Sequence, residues 1–310
     1  MNLNRTPWKL LVPVLALAFA AAACGETGTA FGWRGALIVG SVNTPKGALL
    51  AEVYGQALAH DGYAVTYKLQ IGTRDVVSAA LEEGQIDLYP GYAATELEFF
   101  NKGAGEATSD VAATTAKLNA RLQPFGLVAL NPSPAVDQYA FAVTKATQAK
   151  YKLNKLSDLT AVASQLTLGA GSDCSSAAYC AAGLKKTYGI SFRSVRALDV
   201  DGPLTRAAFK DGSIDVGLVL STDGDLDSLG LVVLQDDKHL ENADNVIPIL
   251  RLAAANDEVT KVLNAIDAKL TTAQVRTMNS QVAIQLQDPA AVATAWLQQH
   301  NYSTASAARR

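Results

Sequence analysis

Histidine is nearly missing from this chain of 310 residues: there are three, His60, His239 and His300. They stand far apart, without carboxylates at metal-ligand spacing. That leaves neither a zinc site nor a nucleophile–histidine pair with support. No G-x-S-x-G turn occurs. Gly169-Ala170-Gly171-Ser172 is a glycine-rich turn after a strand, but it lacks the third glycine of a dinucleotide fingerprint and the lysine of a phosphate loop. No cofactor and no metal are therefore expected, and any ATP-driven step must be supplied by another protein. No arrangement of Asp and Glu points to glycoside chemistry. Basic residues form no patch or stripe, which argues against a nucleic-acid partner. Aromatic residues are scarce, at 7%.

There is one long apolar run and no second. Leu10–Ala23 (LLVPVLALAFAAAA) follows Arg5 and Lys9 and is shorter than the roughly 20 apolar residues a spanning helix needs. It ends in Ala21-Ala22-Ala23-Cys24. Small residues running into a cysteine suit a bacterial lipoprotein, so residues 1–23 are expected to be a signal peptide, Cys24 the lipidated residue and 24–35 a tether. An ordinary cleaved signal with an accidental cysteine is the alternative. The expected location is extracytoplasmic, anchored to the cell membrane as a lipoprotein. Of 26 basic residues, loss of Arg5 and Lys9 leaves 24 against 29 acids, a formal −5. Attachment would then rest on the lipid alone. In an oxidising compartment Cys174 and Cys180, spaced C-x5-C, are expected to form a small local disulfide. Two free thiols remain the alternative, because spacing does not show that the Cα atoms fall within bridging distance.

A mature chain of roughly 290 residues exceeds what one core serves comfortably. Strand and helix patterns alternate along it, the mark of an α/β protein. Apolar periodicity predicts strands at Ala36–Ser41, Ala64–Ile71, Ile86–Tyr89, Leu127–Leu130 and Gln138–Thr144. Further strands are predicted at Leu166–Ala170, Val195–Leu198, Val216–Leu220, Leu231–Leu234 and Val246–Arg251. Helices are predicted between them, among them Lys46–His60, Arg74–Glu83, Ser175–Thr187 and Pro203–Phe209, with a helical tail at Glu258–Leu270, Thr272–Leu286 and Pro289–Gln299.

One stretch repeats. Ala80–Leu88 (ALEEGQIDL) matches Ala208–Val216 (AFKDGSIDV), each a helix end, a glycine cap and "Ile-Asp-apolar" leading into a strand. Such junctions are common, but the segments upstream share a strand–turn–helix order as well. The expectation is two lobes on one plan: lobe I from 36–137 with 241–310, lobe II from 138–240. Two crossover strands, near Gln138–Thr144 and within Asp236–Arg251, would make a hinge, and the cleft between the lobes becomes the default binding site.

Asp87–Thr95 (DLYPGYAAT) resembles the "DLYPEYTGT" of the substrate-binding proteins of ABC importers for glycine betaine, choline, carnitine and related osmoprotectants. Other segments agree in order. Gly40–Asn43 resembles "GSKNF", Ile71–Thr73 "GGT", Tyr139–Val143 "YALAV", Gly183–Gly189 "GLKKTYG", Ser221–Gly224 "STDG" and Val232–His239 "VVLEDDKH". The resemblance spans about residues 36 to 300. It implies a periplasmic-binding-protein-like (type II) fold, capture of an osmoprotectant by hinge closure, and as partners a membrane permease with its ATPase subunit. It implies no enzyme activity. The family's trimethylammonium ligands have no hydrogen to donate and are held by aromatic faces. The matching positions here are Tyr89, Tyr92 and Tyr139; for each, a tyrosine packed in the core is the alternative. Ser41, Asn43, Thr73, Ser172, Thr222 and Asp223 complete the polar candidates from the matching segments and turns.

The departures bear on specificity. Leu220 replaces an aromatic before "STDG", Thr44 replaces the aromatic of "GSKNF", and the family's "FFPPYDAAP" reads Leu240–Pro248 (LENADNVIP), with Asp244 where the tyrosine would fall. The second-lobe half of the cage is reduced, and Tyr179, beside the cysteine pair, is its one obvious substitute. Either quaternary amines bind weakly, or the pocket is retuned, with Thr73, Ser172, Asp173, Asp223 and Asp244 offering hydrogen bonds or a carboxylate facing a cation. Two further readings remain: a sensor or adhesion lipoprotein without transport, and a two-lobed enzyme like porphobilinogen deaminase, which would need a cofactor-bearing cysteine.

Overall fold

The structure, a computed structural model, describes residues 34–302. The expected signal peptide, Cys24 and most of the tether lie outside the described residues. From the start, β1 (Ala36–Val42), α1 (Pro45–His60), β2 (Ala64–Gly72), α2 (Arg74–Glu82), β3 (Leu88–Tyr92), α3 (Ala93–Phe100), α4 (Val111–Leu122) and β4 (Leu127–Ala129) follow one another. Next come β5 (Tyr139–Thr144), α5 (Lys145–Tyr151), β6 (Thr167–Ala170), α6 (Ala181–Tyr188), β7 (Ser194–Ala197), α7 (Pro203–Lys210), β8 (Val216–Leu220) and β9 (Leu231–Val233). The chain then returns through β10 (Val246–Arg251), α8 (Asp257–Asp267), α9 (Thr272–Asn279) and α10 (Pro289–Gln299).

Helix starts follow local chemistry. Thr44 accepts the Gly47 N–H at 2.9 Å ahead of α1, with Pro45 in the first turn. Thr271 and Gln274 form a reciprocal capping box on α9, and Asp288 with Pro289 opens α10. Two helices differ from their expected spans. α6 begins at Ala181 because the preceding residues form a disulfide-closed loop. α9 stops at Asn279 and continues as a π-helical turn, Ser280–Ile284. Gly224 packs there: a Cβ on it would lie 2.5 Å from the Ser280 nitrogen. α5 went unpredicted because KATQAKY buries no residue and so carries no apolar period.

The described strands form two five-stranded mixed sheets, ordered β2-β1-β3-β10-β4 and β7-β6-β8-β5-β9. The orders correspond position by position. β1 and β6 are each flanked by parallel strands. The fourth place is an antiparallel strand that arrives from the other half: β10 in the first sheet, β5 in the second. Separate apolar clusters cover the faces of each sheet: one joins α1, α8, α9 and α10 to the first sheet, and another joins it to α2, α3 and α4. The second sheet has two of its own.

The repeated motif is repeated in three dimensions. Gly84 and Gly212 are left-handed, at φ 73° and 69°, which only glycine adopts without cost. After each, the chain donates back into the helix end, Gln85 N–H to Ala80 O at 2.8 Å and Ser213 N–H to Ala208 O at 3.0 Å. The aspartate then straddles the neighbouring strand. Asp87 N–H donates to Ile38 O at 2.7 Å while its carboxylate accepts the Ile38 N–H at 2.8 Å. Asp215 N–H donates to Thr167 O at 2.9 Å while its carboxylate accepts the Thr167 N–H at 2.8 Å.

Two expected ligand residues are structural instead. Leu88 and Tyr89 point to opposite faces of β3, as strand alternation requires. Tyr89 is thereby 0% exposed among Val77, Leu81 and Leu97. Its hydroxyl donates to Glu96 at 2.8 Å, and Glu96 also accepts from Arg74 at 2.9 Å. Tyr89 is a core residue and not a wall of an aromatic cage. Ser41 is likewise buried; its Oγ accepts the Gln70 N–H at 2.8 Å where the β1–β2 register shifts. We expect Tyr89→Phe, which strips a donor from buried Glu96, to lower unfolding stability by about 1–3 kcal/mol in urea titration, with solute affinity unchanged.

Candidate ligand-binding site

Two segments join the sheets, residues 130–138 and 234–245, and they lie side by side. Val136 and Asn245 form an antiparallel bridge. Asp137 N–H donates to Asp244 O at 3.0 Å, Val246 N–H to Ala135 O at 2.9 Å, and the Asn245 side chain to Ser133 O at 2.8 Å. The Ser221–Gly224 segment then locks onto this pair. Ser221 Oγ donates to Val136 O at 2.7 Å and accepts the Gln138 N–H at 3.1 Å. Lys46 Nζ, at the start of α1, donates to Thr222 Oγ1 at 3.0 Å and pairs with Asp137, to which the Thr222 hydroxyl also donates. From α9, Arg276 donates to Ser221 O at 3.1 and 2.8 Å, and Asn279 to Thr222 O at 3.1 Å.

These contacts correct the reading of Thr222 and Asp223 as ligand contacts. Thr222 is 0% exposed, its hydroxyl spent on the hinge. Asp223, also buried, accepts the Asp225 N–H at 3.1 Å and lies 3.7 Å from Arg206. Burial, with Asp223 beside it, pushes the Asp201 carboxyl up to about 9.

A cavity of about 440 Å³ opens beside the hinge, in the size range of small-molecule sites. Arg74, Thr95, Glu98 and Phe99 line it from α2 and α3; Gln138, Tyr139 and Tyr179 from the second half; Glu241, Asn242 and Asp244 from the second crossing. Tyr139 and Tyr179 stack, ring centroids 4.4 Å apart and 20° from parallel. Tyr179 is held by its loop: Cys174 and Cys180 are bridged with Cα atoms 5.0 Å apart, and the Tyr179 hydroxyl donates to Asp173, which pushes its pKa up to about 12. A loop this short contributes about 2 kcal/mol in the chain-entropy account. The bridge also engages both cysteines among the described residues, so neither is free to be the cofactor-bearing cysteine of a deaminase-like enzyme.

The acids of the cavity are desolvated. Burial, then Thr95's hydrogen bonds against it, leave Asp244 pushed from 3.8 up to about 6. Its carboxylate accepts the Thr95 N–H at 2.9 Å and the Thr95 hydroxyl, capping the first turn of α3. Burial first, then Asp236 and Asp244, push Glu241 from 4.5 up to about 8. Glu241 Oε1 is buried with no hydrogen-bond partner.

Of the expected residues, Tyr139 and Asp244 line the cavity. Tyr92 stands toward the hinge, half-buried, with Lys46 Nζ 5.8 Å from its ring centroid and its hydroxyl bonded to Asp137. Thr73, Asn43 and Ser172 are exposed outside the cavity lining: Thr73 precedes α2 and donates to Asp75, Asn43 N–H donates to Gly72 O at 2.8 Å, and Ser172 precedes the disulfide loop. Sequence reasoning missed Glu241, Gln138, Arg74 and Thr95. Glu241 and Thr95 had signals, the first inside the segment that departs from "FFPPYDAAP" and the second closing the match to "DLYPEYTGT"; Gln138 and Arg74 fell in no matched segment.

Residues 35–299 match the family model described as the substrate binding domain of ABC-type glycine betaine transport system. The glycine betaine-binding protein YehZ of Escherichia coli (strain K12) is 26% identical over 278 residues, covering 86% of this chain and 90% of that protein. The carnitine transport binding protein OpuCC of Listeria monocytogenes is 26% identical over 292 residues, covering 90% and 91%. The solved structure of apo YehZ superposes with a TM-score of 0.76 at 25% identity, over 86% of this chain and 99% of that one. Among the described residues no helix is long and apolar enough to cross a membrane.

The raised acids set a sign for stability. A carboxyl with a higher pKa in the folded than in the unfolded chain holds its proton more tightly when folded. Its stabilising effect is full near pH 4 and is lost as pH rises through about 6 for Asp244 and about 8 for Glu241. Thermal melts of the ligand-free protein should therefore show Tm falling across that window, a tenfold difference in proton affinity being worth about 1.4 kcal/mol. The double variant Asp244→Asn, Glu241→Gln should flatten the fall.

Proposed function

The chain belongs to the substrate-binding domains of ABC-type glycine betaine transport systems, and from that premise we propose that it captures a small, positively charged organic solute in the hinge-side cavity and delivers it to a membrane permease whose separate ATPase supplies the energy. Glycine betaine, carnitine and choline are the solutes that the names of its relatives point to. The lobes that move are 36–137 with 241–310, and 138–240, swinging about the paired crossings. Ligand that touches both lobes raises the closed population by its differential affinity for that state. Cys24 carries the lipid that keeps the protein at the outer face of the cell membrane, after residues 1–23 are removed.

One observation carries this reading. The stacked Tyr139–Tyr179 pair from the second half lines, together with Asp244 and Glu241, a cavity that also touches α2 and α3 of the first half. Aromatic faces and carboxylates both favour a cation, the former by about 0.5–2 kcal/mol each. Tyr139 begins β5, the crossing strand, so it sits where the two halves meet.

Calorimetric titration with glycine betaine, carnitine and choline tests the site. Tyr139→Ala should weaken binding of whichever solute is taken by about tenfold or more, roughly 1.4 kcal/mol, with little change in melting temperature. X-ray scattering should show a smaller radius of gyration on saturation. Unchanged affinity in Tyr139→Ala would remove the cavity as the site.

A further inference from the structure

The cavity has acceptors to spare and little aromatic surface left. Resting on the reading that the solute binds there, we propose that its cationic group carries N–H bonds, as a primary ammonium or a guanidinium, and that Glu241 and Asp244 receive them beside the Tyr139–Tyr179 stack.

The acceptors can be accounted for one at a time. Glu98 is engaged on both oxygens by the loop after α3, accepting the Ala107 N–H at 2.6 Å and the Gly105 N–H at 2.8 Å, which leaves it the same two open positions as Asp244. Arg74, the cation on the cavity wall, is taken up by Glu96 at 2.9 Å. Asp244 accepts twice from Thr95, and a carboxylate has about four lone-pair positions, so two stay open. Glu241 is further from satisfied, with Oε1 buried and unpartnered. A buried carboxylate oxygen without a donor is costly, and Glu241 lines this cavity and a neighbouring one along Gln138, Leu234 and Asp236. The charge count agrees: even with Glu241 holding its proton near pH 7, Glu98 and Asp244 against Arg74 leave the lining net negative. Burial, then Asp236 and Asp244, raise Glu241, and burial, with Asp137 acting against Thr95 and Arg74, raises Asp244, the state a bound cation relieves.

The aromatic side is largely engaged in turn, with Phe99 of the lining meeting Phe100 edge to face, ring centroids 5.2 Å apart, and left partly exposed. A trimethylammonium head donates no hydrogen bond and needs ring faces. Tyr139 and Tyr179 cover one face of each other. Tyr92 has the Lys46 ammonium over its ring, and Tyr89 is in the core. An N–H cation instead makes short, charge-assisted bonds to carboxylates and needs only the outer face of the stack.

Choline and ethanolamine share a hydroxyethyl chain and differ by three N-methyl groups, so calorimetric titration of the unmodified protein with each, and with agmatine as the guanidinium probe, isolates the head group. Ethanolamine or agmatine should bind about tenfold or more tightly than choline. Glu241→Gln and Asp244→Asn, confirmed folded by thermal melts, should erase that preference. Choline binding more tightly than both amines, or none of the three binding, would overturn the inference. If choline wins and Tyr139→Ala abolishes its binding, the cavity remains the site and only the head-group assignment fails. If bound amines are indifferent to Tyr139→Ala, the site itself is misplaced.

Discussion

The architecture depends on the two crossing strands being paired where they leave their sheets. Each sheet gives its fourth place to a strand from the other half, so neither sheet is complete without the other half of the chain. The crossings must stay together if the lobes are to move as bodies. That is done with backbone bonds between Asp137 and Asp244 and between Ala135 and Val246, and with a buried ion pair, Lys46 to Asp137, closed by Thr222. Charges at such a depth are expensive unless paired and hydrogen-bonded, and here each has a second partner. The arrangement fixes a pivot while leaving the lobe surfaces beyond it free to approach.

The cavity inherits its geometry from that pivot. Gln138 and Tyr139 follow Asp137, and Asp244 lies opposite it on the return crossing. Residues that line the cavity are thus one or two places from those that hold the hinge. Closure and binding share the same short segments, so a contact made at Tyr139 or Asp244 is felt at the pivot without a longer chain of couplings.

Most of the fold was legible in the sequence because strands and caps are local. Most of the described strands follow apolar or alternating runs, and the doubled "Gly-x-Ile-Asp" junction pointed to two halves on one plan. Its physical content was hidden in the aspartate, which bonds the backbone of the neighbouring strand in both halves. The site was less legible, for a reason of register. Tyr89 and Tyr92 read alike in "DLYPGY", yet strand alternation sends Tyr89 into the core and the bend into α3 turns Tyr92 to the hinge. Thr222 and Asp223 stood in a motif matched almost letter for letter, and the match marked a structural lock. Glu241 belonged to no motif; only three-dimensional packing brings its carboxylate beside Tyr139.

If the cavity takes a cation as proposed, its carboxylates also act as a gate on closure. Bringing the lobes together strips water from Asp244 and Glu241, and an uncompensated buried charge opposes that step. An empty cleft therefore resists closing at pH values where the acids are ionised. A cation reverses the balance, because removal of water strengthens its attraction to the carboxylates. Selectivity then arises less from how tightly the open form holds a solute than from whether closing around it is downhill. Replacement of a ring by Asp244 moves that decision from shape and polarisable surface to charge and hydrogen-bond donors, which discriminate more sharply between otherwise similar solutes.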